Sequence, residues 1–151
     1  MTGSRPALPK ILYIEGHATV RDVTSQLLGL QAEFDIRTSS NGLDGLSLAE
    51  SWQPDLILLG LRLPGLDGFE TIAQLRRQPA TAHTPIIVLS AWDAASHRRR
   101  SRIAGANAHL SLPIATGRLV AAIYRLLPEP ESRGARAQGG TGKATDPAND
   151  P

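Results

Sequence analysis

Few side chains in this 151-residue sequence could carry covalent chemistry. There is no cysteine, which removes thiolate nucleophiles, thiolate metal sites, iron–sulfur clusters and disulfides together. The histidines His17, His83 and His97 share no metal-ligand spacing with one another, so no zinc site is expected. What remains is scattered: Glu15 and Ser90 each follow an apolar run, Asp55, Asp67 and Asp93 lie beside turns, and His97-Arg98-Arg99-Arg100-Ser101-Arg102 concentrates positive charge. The turn Gly16-His17-Ala18-Thr19 opens a helical segment whose amides attract anions, but Glu15 beside it opposes strong anion binding. No P-loop or glycine-rich dinucleotide fingerprint is present.

The elements that must position these groups follow from hydrophobic period. Short apolar runs at residues 11–14, 34–38, 56–59, 86–89 and 108–112 predict strands, and stretches of helical period at 19–30, 42–52, 69–77, 94–104 and 116–127 predict helices. The first, third and fourth runs lack polar alternation, as strands buried on both faces do, whereas Phe34, Ile36 and Thr38 alternate and suit an edge. Strand followed by helix five times predicts a parallel, doubly wound sheet. Ligands of such sheets bind at the carboxyl ends of the strands, which here carry Glu15 and Gly16, Gly60, Ser90 and Leu112. One carboxylate, one hydroxyl, two glycines and a leucine make a poor active site.

In this order the chain resembles the receiver domain of bacterial two-component response regulators. The matching segments are Ile11-Leu12-Tyr13-Ile14-Glu15-Gly16-His17 with Arg21 further on, Pro54-Asp55-Leu56-Ile57-Leu58-Leu59-Gly60-Leu61-Arg62-Leu63-Pro64-Gly65-Leu66-Asp67-Gly68-Phe69-Glu70, Pro85-Ile86-Ile87-Val88-Leu89-Ser90-Ala91, and Gly105-Ala106-Asn107-Ala108-His109-Leu110-Ser111-Leu112-Pro113. The resemblance implies an α/β, flavodoxin-like (βα)5 fold with strand order 2-1-3-4-5. It also implies an acidic pair for Mg²⁺ after strand 1, a phosphoaccepting Asp after strand 3, a Ser or Thr after strand 4 and a Lys before Pro after strand 5. At those positions stand Glu15 and Gly16, Gly60, Ser90 and Leu112, so three of the five groups differ and the chain looks like a degenerate receiver, a pseudo-receiver. The Leu112-Pro113 step matches one that is often cis in receivers.

Gly60 has no side chain on which an acyl phosphate could form, and nucleophilic catalysis of that type needs a carboxylate. With Glu15 alone, Mg²⁺ should bind very weakly, so neither metal nor cofactor is expected. A lysine at 112 without its carboxylates would be a buried, unpaired charge, which an apolar residue avoids. Other carboxylates are poor substitutes. Asp55 lies at the amino end of its strand, about 16 Å from Gly60 at the usual rise; Asp67 fits a turn, and Asp93 a helix cap.

The arginine-rich fourth helix is either a solvated basic face or a docking surface for an acidic partner, with Arg98, Arg99 and Arg102 as candidate contacts. The fifth helix has Leu119, Ile123 and Leu126 at core spacing and a second stripe of Val120, Tyr124 and Leu127, which either meets a partner or packs on a neighbouring helix. In receivers the face of helix 4, strand 5 and helix 5 serves dimerisation or target binding, which implies a protein partner or a homodimer there. His109 matches an aromatic switch position coupled to the residue at Ser90; without a phosphoryl group the two are expected to make a local hydrogen bond or plain surface. Basic residues without interleaved aromatics do not point to nucleic acid.

Acidic residues number 14 against 16 Lys and Arg, so the arginines are close to balanced. Residues 10–127 are expected to form the receiver-like domain between a flexible 1–9 and a disordered 128–151, the latter having no apolar residue larger than Ala after Pro128. No apolar stretch approaches the roughly 18 residues of a membrane helix and no signal peptide is evident, so a cytoplasmic protein is expected. The predicted function is that of a stand-alone, non-enzymatic receiver acting by contact with a signalling protein, histidine kinase or regulator, without phosphorylation at the usual site. The alternatives are a decoy or scaffold that binds a histidine kinase or another receiver, and a flavodoxin-like module for a small anion or phosphorylated ligand.

Overall fold

The computed structural model describes residues 7–91 and 95–129. Most of the expected loose ends, 1–9 and 128–151, lies outside the described residues, as does Asp93. Residues Pro9–Leu127 form one compact unit. Its strands are β1 Lys10–Ile14, β2 Asp35–Ser39, β3 Leu56–Leu59, β4 Ile86–Ser90 and β5 Ala108–Ser111. The helices are α1 Ala18–Gln31, α2 Gly42–Trp52, α3 Gly68–Arg77, α4 Ala95–Ala104 and α5 Thr116–Leu126, with a 3-10 turn at Pro79–Thr81 that the hydrophobic period did not reveal.

All strand pairs are parallel, in the order β2-β1-β3-β4-β5 expected for the flavodoxin-like fold. Every residue of β3 and β4 is buried, as is β1 beyond Lys10. Side chains alternate across a strand, and these three strands therefore supply two cores. One contains Leu12, Ile14, Ile57, Leu59, Ile86 and Val88 with Phe69, Ile72 and Leu75 of α3. The other contains Ile11, Tyr13, Leu56, Leu58, Ile87 and Leu89 with Leu28 of α1 and Leu119 and Ile123 of α5. An unbroken apolar run is what a strand covered on both faces requires.

Local caps set the helix starts. Asn41 Oδ1 accepts from the Asp44 amide at 2.8 Å, and Asp67 Oδ1 accepts from the Glu70 amide at 2.9 Å, the usual N-cap contact. Asp67 is thus occupied at the entrance of α3, as its turn setting predicted. In the loop before it, Gly65 has φ +75°, and a Cβ on Gly68 would lie 2.6 Å from both the Gly60 carbonyl oxygen and Leu61 Cα. These two constraints explain the glycines of Leu63-Pro64-Gly65-Leu66-Asp67-Gly68: one needs the left-handed region, and the other lets α3 start directly against the end of β3.

Helix α4 has little apolar anchorage. Ser101 is its one buried residue, and Ile103 is 79% exposed. Polar and aromatic contacts hold it instead: Arg98 donates to the His109 carbonyl at 3.1 Å and to Ser111 Oγ at 2.6 Å, and Arg100 lies 3.9 Å over the Phe69 ring. Arg76 of α3 fixes the same flank from below. Its guanidinium donates to the carbonyls of Thr81, Ala82, Thr84 and Gly105 and to Asn107 Oδ1, at 2.7 to 3.2 Å. Burial lowers its pKa from the ordinary arginine value.

Candidate functional site

The carboxyl ends of β1, β3, β4 and β5 bring the predicted pocket residues together. Glu15, Gly16, Ser90 and Leu112 line a cavity of about 680 Å³ with His17, Val20, Leu61, Arg62, Pro64, Leu89 and Ala91. Gly60 lies beneath Glu15. A Cβ built on Gly60 would fall 2.5 Å from Glu15 Oε1, so the carboxylate occupies the space a side chain at position 60 would enter.

Glu15 is 8% exposed. Its Oε2 accepts the His17 amide at 3.0 Å, while the Arg21 guanidinium donates to the Glu15 main-chain carbonyl at 2.7 Å rather than to the carboxylate. Burial pushes the carboxyl pKa above the ordinary value, and the His17 amide and the nearby positive groups only partly oppose it. Gly16 is held more rigidly: a Cβ there would lie 2.9 Å from the Arg62 carbonyl oxygen and 3.0 Å from Pro64 Cδ. The loop after β3 thus closes against the end of β1 with backbone, where a longer side chain would otherwise stand.

Ser90 is 6% exposed at the end of β4, opposite Ser111 in the β4–β5 register. The Leu112–Pro113 peptide is cis, and the Leu112 amide donates to the Ser90 carbonyl at 3.0 Å, which directs the Leu112 side chain to the cavity wall. Asp55 is at the opposite end of β3, where its Oδ2 accepts the Lys10 amide at 2.8 Å. Among the described residues, no three His, Cys, Asp or Glu side chains are placed to hold a metal ion.

The candidate partner contacts divide. Arg99 and Arg102 are exposed on α4 and line a cavity of about 320 Å³ with Arg98 and His109. Arg98 is committed to β5, as its bonds to His109 and Ser111 show. His109 is partly buried, with Nδ1 3.1 Å from Ser101 Oγ. The same hydroxyl is 2.9 Å from the His97 carbonyl oxygen. His109 is thus joined to α4 through Ser101. Val120 and Leu127 are partly buried and pack against the core that holds Leu28 of α1 and Leu119 and Ile123 of α5. Tyr124 is 52% exposed, yet its ring lies 5.4 Å from that of Phe34. Two apolar stripes on one helix are both accounted for because α5 meets the sheet on one side and α1 on the other.

The model of the response regulator receiver domain matches residues 11–124 of this sequence. The chain belongs to that family. Among its relatives are the DNA-binding dual master transcriptional regulator RpaA of Synechocystis, 33% identical over 80% of this chain and 49% of RpaA, and the polar-differentiation response regulator DivK of Brucella anthropi, 31% identical over 80% of this chain and 98% of DivK. The receiver thus spans about half the length of RpaA but nearly all of DivK. Protein PilG of Pseudomonas aeruginosa is 29% identical over 79% of this chain and 87% of its own. Among solved structures, the chemotaxis protein CheY4 of Vibrio cholerae superposes with a TM-score of 0.75 at 25% identity, covering 80% of this receiver and all of CheY4. The receiver domain of the sensor histidine kinase PA1611 of Pseudomonas aeruginosa, with a magnesium ion coordinated in its active site cleft, gives 0.69 at 28% identity, covering 80% of this chain and 98% of its own. The receiver is therefore a two-component signalling domain. No helix among the described residues is long and apolar enough to cross a membrane.

Proposed function

We propose that this receiver signals without phosphorylation at the position its family normally uses, is not an enzyme, and acts in the cytoplasm through contacts with another protein, either a histidine kinase or a regulator. The observation that carries this reading is the pairing of Gly60 with Glu15. Position 60 has no nucleophile, and the Glu15 carboxylate stands where a side chain there would enter. Glu15 cannot replace the whole constellation. Mg²⁺ is ordinarily held by carboxylates together with phosphate oxygens and waters, and here Gly16 offers neither a second carboxylate nor the room for one. The donor set does not fit the ion, and no step is assigned to it. Leu112 completes the change, since an apolar wall replaces the cation that would neutralise a phosphoryl group.

Output then depends on surface already in place. Arg99 and Arg102 are exposed on α4 and suit an acidic partner, whether a signalling target or, for a decoy or scaffold, a kinase or second receiver. A homodimer through α4, β5 and α5 would use the same region, with exposed Tyr124 at its edge. A small-anion ligand fits less well, because the cavity holds a carboxylate.

Beryllofluoride with Mg²⁺ imitates a phosphoryl group on a carboxylate and tests this reading by amide NMR. The spectrum is expected to stay unchanged at Gly16, Gly60 and Ser90. Saturable shifts at these three amides would mean that the phosphoryl site persists.

A further inference from the structure

The altered site is a cavity with a defined chemistry of its own. Its volume of about 680 Å³ lies within the roughly 300–1,000 Å³ of small-molecule sites, which are mostly apolar with a few placed polar groups. Val20, Leu61, Pro64, Leu89 and Leu112 supply apolar walls. Its polar lining is Glu15, His17, Arg62 and Ser90, of which His17 and Arg62 are exposed and Glu15 is the buried charged group. Its Oε2 has the His17 amide, but Oε1 accepts no hydrogen bond among the described residues, and no cation pairs with the carboxylate. Arg21, the nearest candidate, spends its guanidinium on the main-chain carbonyl of the same residue. A buried carboxylate with an unused oxygen carries a desolvation cost that an incoming cationic donor would offset.

We propose that this cavity binds a small amphiphilic amine, its ammonium group donating to Glu15 Oε1 and its apolar body lying against Val20, Leu61, Leu89 and Leu112. Charge decides between classes. An anion would face the Glu15 carboxylate, a divalent cation would lack ligands, and a purely apolar molecule would leave Oε1 as it is. Only a donor of positive charge joined to an apolar body meets both the wall and the floor. The proposal concerns the cavity and stands whether or not the receiver can be phosphorylated, since no phosphodonor enters its test.

Naphthylmethylamine serves as the probe, with naphthoate of the same ring size as its anionic counterpart, each titrated into the full chain and followed by amide NMR. The amine is expected to give saturable shifts at Gly16, His17 and Ser90 and to bind at least about tenfold more tightly than naphthoate, the ratio set by about 1.4 kcal/mol of charge complementarity. Glu15→Gln should abolish that preference. Leu112→Lys, which brings a competing ammonium into the cavity, should abolish amine binding, whereas Leu112→Met, close in volume and apolar, should keep it. Absence of saturable shifts in the native chain, equal binding of the two probes, or amine binding that survives unchanged in Leu112→Lys would overturn the proposal.

Discussion

At the end of β3 the glycine at position 60 and the placement of the Glu15 carboxylate are complementary. Glu15 Oε1 stands where Gly60 would place a Cβ, and burial raises the Glu15 pKa above its ordinary 4.5. The sign of the consequence follows from proton linkage. The unfolded chain releases this proton near its ordinary value while the folded chain keeps it to higher pH, so Glu15 favours folding at low pH and this contribution is lost as pH rises through the folded value. Glu15→Gln retains an acceptor for the His17 amide and carries no charge. It is expected to raise the melting temperature relative to the native chain at pH 7, with the difference closing by pH 4; a variant less stable at pH 7 would contradict the assignment. Gly16 and Gly60 differ in what surrounds them. Gly16→Ala meets the Arg62 backbone and should cost about 1–3 kcal/mol, while Gly60→Ala meets the movable end of Glu15 and should cost less. Thermal denaturation of the pair checks the order, and greater damage from Gly60→Ala would reverse it. The identities at 15, 16, 60, 90 and 112 were legible as soon as the strand ends were placed. The position of the Glu15 carboxylate was not, because it depends on a side-chain rotamer and on the room left by residue 60.

Among the elements, α4 shows what a charge run can conceal. Arg98, Arg99 and Arg102 look alike in the sequence, but Arg98 ties α4 to β5 through His109 and Ser111. Arg98→Ala is expected to loosen α4 by about 1 kcal/mol, a rise of roughly fivefold in the amide exchange of residues 98–104, and Arg99→Ala to leave it unchanged. Equal effects of the two substitutions would remove the distinction. The same limit applies to Arg76, whose acceptors are mainly main-chain carbonyls up to 29 residues away, and carbonyls leave no mark in a side-chain pattern. Strands were legible within a residue or so because burial on both faces imposes an apolar run, as at residues 56–59 and 86–89. The stripe of Val120, Tyr124 and Leu127 could not be resolved from period alone, since α5 packs on α1 and Tyr124 meets Phe34, both far away in the sequence.

Across the whole molecule, two cores on opposite faces of one sheet hold a receiver fold with strand order β2-β1-β3-β4-β5. The groups on which the proposed function turns, Glu15, Gly16, Gly60, Ser90 and Leu112, lie at one end of the sheet. A fold stabilised by burial on both faces does not need those side chains, so the scaffold and its surfaces can persist when the chemistry at the strand ends is altered. Loss of phosphotransfer at that end is the claim on which the functional account rests. Its most direct test is the intact mass of the full chain after incubation with acetyl phosphate and Mg²⁺. The account predicts an unchanged mass, and a stoichiometric species about 80 Da heavier, the mass of an added phosphoryl group, would contradict it.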